Sequence, residues 1–154
     1  MEKFSQILQN SSKEEILEEI ENRLKNSDEK EFWKEKVIPF VDSVLSVLLP
    51  LREQNLLFNP EGKIKEKLDS ELFFRWSDLV CLRILAFILQ ESNEKNELVR
   101  TDYKDVKFEP IDLETVAKYL TSNRIDLTNE DNLDFPVATY NLHTGINTII
   151  KNLF

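Results

Sequence analysis

Between Leu79 and Leu89 this chain carries one charged residue, Arg83, among Leu, Val, Ile, Ala, Phe and Cys. The apolar residues keep to no single stripe, so the segment lacks the charged face that a surface helix turns to water. Leu79 to Leu82 run consecutively, as do Ile84 to Leu89, which defeats an alternating strand. The run exceeds the about 4–8 residues of a buried strand and falls short of the about 20 needed to span a bilayer. The reading is a buried helix, extending over Leu72–Leu89 and capped at Asp69 or Ser70, around which a soluble all-α domain is built. Cys81 is expected inside it as a small buried hydrophobe.

The rest of the chain agrees with helix. Two glycines in 154 residues leave little for hairpin turns or phosphate-cradling loops. Ser12 and Glu15 have capping-box spacing, and Ile16, Leu17, Ile20 and Leu24 follow as one apolar stripe. Asp28 and Glu31 repeat that spacing ahead of a long helix from Glu29 to about Leu56. Pro39 lies inside it and predicts a kink, and Pro50 a second kink or a stop. Asn59-Pro60-Glu61-Gly62 reads as a turn, with a short amphipathic segment over Ile64–Leu68 beyond it. The acidic stretch Glu91–Glu109 reads as a long mobile loop with a short strand at Val106–Phe108. Asp112 is expected to cap a helix whose inner face is Leu113, Val116, Ala117 and Leu120. Thr121–Asp134 reads as polar and acidic, and Pro136 then opens a last helix whose apolar positions are Val137, Tyr140, Leu142, Ile146, Ile149, Ile150 and Leu153. The expectation is one domain over residues 1–154, with N-terminal helices in 1–26 and a helical core in 27–154, six or seven helices in all.

Function classes fall away in turn. A net charge of −9 opposes binding to nucleic acid or an anionic membrane, because both draw affinity from Lys and Arg. One His and one Cys do not make a zinc site. Neither GxxxxGK[ST] nor GxGxxG occurs. No catalytic residue, cofactor or metal is assigned; His143 is read as a cap or packed polar residue. A lone cysteine and no recognisable signal peptide suggest a reducing compartment, hence the cytoplasm. Two charged features invite pairing, Arg83 in the apolar helix and Asp42, the only acid between Val37 and Leu51. They are offered as a structural pair, against the alternative that each faces water. Candidate partner contacts are Phe73, Phe74 and Trp76, which are otherwise core, and the acids Glu94, Glu97, Asp102 and Asp105.

The segment FWKEKVIPFVDSVLSVLLPLRE, from Phe32 to Glu53, resembles part of the type IV secretion coupling proteins, in which a Phe-Trp pair opens a helix closing on Leu-Pro and Arg. IDLETVAKYL and YNLHTGINTIIKNLF continue the resemblance, which spans roughly Asp28 to Phe154 and departs at Pro39 and in Glu91–Glu109. Those proteins are membrane-anchored, ring-forming ATPases with an all-α domain inserted in the motor. The resemblance implies a piece of such an ATPase, monomeric alone and hexameric in the parent, at the cytoplasmic side of the inner membrane. It would recognise secretion substrates or adaptor proteins without insertion of this domain in the membrane and without a reaction of its own. A free-standing cytoplasmic adaptor or chaperone is the first alternative, and a small helical enzyme the second.

Overall fold

The computed structural model describes residues 1–154. Seven helices form: α1 Glu2–Asn10, α2 Lys13–Lys25, α3 Glu31–Glu53, α4 Ser70–Trp76, α5 Leu79–Lys95, α6 Glu114–Ser122 and α7 Val137–Leu153. There is no strand; Phe58 and Ile64 make one isolated antiparallel bridge. All seven helices feed one cluster of 36 buried apolar residues, so the all-α fold is a single packed unit. Helix α3 lies at its centre, against α2, α6 and α7. No helix is long and apolar enough to cross a membrane.

The apolar stretch is two helices, which corrects the single helix expected over Leu72–Leu89. Asp78 adopts an extended conformation (φ −61°, ψ 130°) and its carboxylate accepts from the Cys81 amide, starting α5 afresh. The Ser77 amide closes α4 on the Phe73 carbonyl, while Asn147 of α7 donates to the buried Ser77 carbonyl. A helix end inside a core is tolerated because these side chains satisfy its orphan groups. The expected burial of α5 holds except at Val80, Cys81 and Ile84, which are half-buried.

Elsewhere the caps at Ser12 and Asp69 form as read, the first as a reciprocal capping box with Glu15. Asp28 caps nothing. Ser27 donates to the Leu24 carbonyl to finish α2, and α3 starts only after Lys30. Helix α3 runs unbroken through Pro39 and Pro50. Pro39 and Glu35 are exposed, so water can take the carbonyl that Pro39 leaves without a donor. Ile64–Leu68 is not helical. The Asn59 carboxamide oxygen accepts from the Glu61 and Lys63 amides, and the chain doubles back at Gly62 (φ +79°). A Cβ there would also meet the Arg100 carbonyl oxygen at 2.7 Å, so this position requires glycine.

The Glu91–Glu109 stretch differs from its reading too. Its first residues continue α5, and Val106–Phe108 is not a strand. The remainder is fastened by buried Leu98, Phe108 and Ile111, and by Asn93, which bonds both backbone groups of Ile111.

Candidate functional site

Arg83 is 1 % exposed, and no carboxylate pairs with it. Its guanidinium grips main chain instead. Nε donates to the Asp126 carbonyl at 3.0 Å and Nη1 to Glu130 at 3.1 Å. Nη2 donates to Asn129 and Asn132 at 2.8 and 2.6 Å. The Phe87 ring lies under the cation, 4.8 Å from its centroid. A planar fork of five donors, less strongly hydrated than an ammonium, suits such a carbonyl cradle. The sequence supplies the cradle through turn formers. Asp126 accepts from the amide and hydroxyl of Thr128 and from the Asn132 carboxamide. Asn129 and Asn132 each accept from the amide two residues on. The Thr128 hydroxyl, first among these donors, holds the Asp126 carboxyl down to about 2, so it stays ionised.

A second arginine ties the loop from outside. Arg100 forks onto Glu130 at 2.6 and 2.8 Å and reaches Glu91 of α5 at 2.9 Å. The loop between α6 and α7 is thus clamped on a buried cation and braced by an outer one. What it displays is unusual: Leu133 is 64 % and Val137 74 % exposed, the two most exposed large apolar side chains of the chain. Asp131 and Asp134 are exposed beside them, and neither has a cation within 4 Å.

The Asp42–Arg83 pair does not form. Asp42 faces the start of α2, where Lys13 Nζ lies 3.1 Å from its inaccessible Oδ1, off the direction of a good hydrogen bond. Arg83 needs no carboxylate because four carbonyl dipoles surround it. The aromatic candidates are core. Phe73 and Trp76 are fully buried, the first edge-on to Phe4 of α1 and the second donating to the Phe58 carbonyl at 2.7 Å. Phe74 packs on Phe4 and Phe73 with the Lys151 ammonium over its ring. Glu94, Glu97, Asp102 and Asp105 are exposed, and Asp102 pairs with Lys63 at 3.2 Å. Glu94 lies in the last turn of α5 and the other three in the loop beyond it, and none of them lines a larger pocket.

His143 is a packed polar residue. Its Nε2 lies 2.7 Å from the Tyr119 hydroxyl and its Nδ1 2.7 Å from the Thr139 carbonyl, which assigns the ring proton to Nδ1 and makes Tyr119 the donor to Nε2. Burial pushes the imidazole below its ordinary range and the phenol above its own, so both stay neutral near pH 7. The dyad joins α6 to α7 against Phe40. Cys81 is no nucleophile either: burial first, then the Asp78 charge, pushes its thiol up to about 11. No three His, Cys, Asp or Glu side chains are grouped to hold a metal ion.

Leu133 falls in the stretch read only as polar and acidic, and Val137, read as an apolar position of the last helix, instead faces water because it is the first residue of α7 and points away from the core. The available signal was the density of Asx residues in DLTNEDNLD, with Leu133 set between Asn132 and Asp134.

Fold and site together define an all-α domain that presents an arginine-anchored loop. Compared with family profiles, curated proteins and solved structures, the chain finds no match.

Proposed function

We propose that this chain is a protein-recognition domain without a reaction of its own, acting in the setting of a type IV secretion coupling protein, where it would receive secretion substrates or adaptors on the cytoplasmic side. The observation that carries recognition is the clamped loop. Burying a guanidinium is expensive unless its donors are matched, and here they are spent on fixing a surface loop that leaves Leu133 and Val137 in water. Pre-ordered surface of this kind lowers the entropy cost of binding a partner. The setting rests on the resemblance alone, whose segments lie together in the fold. The Phe-Trp helix becomes α3, and Phe40 on it meets Tyr119 of IDLETVAKYL and His143 of the last segment.

An immunoblot of fractionated source cells tests the setting. A band several times larger than 18.2 kDa in the inner-membrane fraction is expected. A soluble band near 18.2 kDa would overturn the coupling-protein setting in favour of a free adaptor. Recognition itself is tested by affinity capture from the same cells with the full chain as bait, where failure to retain any protein above a denatured-bait control counts against it.

A further inference from the structure

We infer that the stretch from Asp131 to Val137 docks a basic segment of a partner protein that also carries apolar side chains. This rests on the protein-recognition reading and names the chemistry of its partner. Leu133 and Val137 supply the apolar half. They are two of the six large hydrophobics exposed anywhere in the chain, four residues apart, Leu133 in the loop and Val137 at the first position of α7. Asp131 and Asp134 supply the charged half. The loop's other acids are already engaged, Glu130 by Arg100 and Asp126 by Thr128 and Asn132, whereas these two have no cation. An incoming Lys or Arg therefore meets an unpaired carboxylate on either side of Leu133.

The same facts exclude other occupants. Nucleic acid and anionic lipid would meet Asp131 and Asp134 as like charges. A second copy joined by two-fold symmetry would bring the same patch, and the same acids, against itself. A divalent cation finds the loop's carbonyls turned to Arg83 and the Asp126 carboxylate bonded within the loop. The groove between α3 and α6, about 530 Å³, selects less well, because its rim mixes Asp42 and Glu114 with Lys118.

The test is a titration of the ¹⁵N-labelled full chain with three short synthetic peptides, one of lysine and leucine, one of lysine and serine, one of glutamate and leucine. Amide shifts are expected from residues 131–140 with the lysine–leucine peptide, weaker ones with lysine–serine, and none with glutamate–leucine. The double variant L133S/V137S should weaken the first peptide by about tenfold or more, the loss of two partly buried apolar anchors. D131N/D134N should flatten the salt dependence of binding. All four positions are exposed, and an unchanged amide spectrum elsewhere verifies the fold of each variant. Shifts spread over the acidic surface or centred on another face would overturn the inference, as would equal binding of the glutamate peptide or indifference to L133S/V137S. The two levels separate cleanly. A native protein partner still captured by L133S/V137S removes this site and leaves recognition standing, whereas absence of any protein partner removes recognition itself.

Discussion

Gly145→Ala isolates the contact through which α7 meets the start of α3. Gly145 is a helix-interior residue, where alanine is favoured by about 1 kcal/mol. Its new Cβ, however, would stand 2.8 Å from Trp33 Cη2 and 3.0 Å from Cζ3, where ordinary contact begins at 3.4 Å. The indole must yield by about half an ångström to restore ordinary contact. Overpacking of this size costs about 1–3 kcal/mol, so the net effect is a loss of about 0–2 kcal/mol. In a Trp33→Leu background the obstruction is gone and the same substitution should stabilise by up to about 1 kcal/mol. The assay is urea unfolding of the four proteins of the cycle by far-ultraviolet circular dichroism. A sign reversal between backgrounds is expected, with a coupling of about 1–3 kcal/mol. An equal effect in both backgrounds would refute the packing argument.

Arg83→Met should release the loop more than it unfolds the domain. Amide exchange over 126–134 is expected to accelerate while that of α3 changes little, with a global loss of about 2–4 kcal/mol. His143 is neutral and buried, its folded pKa lying below the unfolded 6.5. Its contribution is therefore fully present above about pH 6.5 and lost as pH falls through the lowered folded value. Urea midpoints should decline from pH 7 to 5, and His143→Gln should flatten that decline. The Cys81 thiol, raised to about 11, should react with a disulfide reagent at pH 8 about one to two orders of magnitude more slowly than a free thiol. Asp78→Asn, which can still cap α5, should speed that reaction by removing the smaller of the two causes.

What could be read from residues alone divides along a physical line. Side-chain patterns with a local mechanism were legible: the reciprocal box at Ser12 and Glu15, the cap at Asp69 (one of the two residues offered for it), the turn at Asn59–Gly62, and the inward faces of α2, α6 and, apart from the outward Val137, α7. The break at Ser77-Asp78 was not, because apolar runs on both sides mask a cap inside the core and Asn147, far along the chain, completes it. The partner of Arg83 was illegible for a deeper reason. Side-chain complementarity pointed to the lone acid Asp42, but the guanidinium is satisfied by carbonyls, which every residue possesses and no sequence pattern marks. The display of Leu133 and Val137 follows from that clamp and was hidden with it. The ordering of 96–113 depended likewise on long-range bonds, such as Asn93 to Ile111 and Gln54 to Glu109.

Because Arg83 holds the loop by its backbone, the outward side chains have little part in keeping its shape. Residues such as Asp131, Leu133 and Asp134 can be exchanged without releasing the grip, whereas the turn formers Asp126, Asn129 and Asn132 and the arginine itself cannot. The domain therefore carries a replaceable cassette on a constant mount. On the proposed reading, a change of partner would demand new letters at two or three exposed positions and leave the seven-helix body untouched.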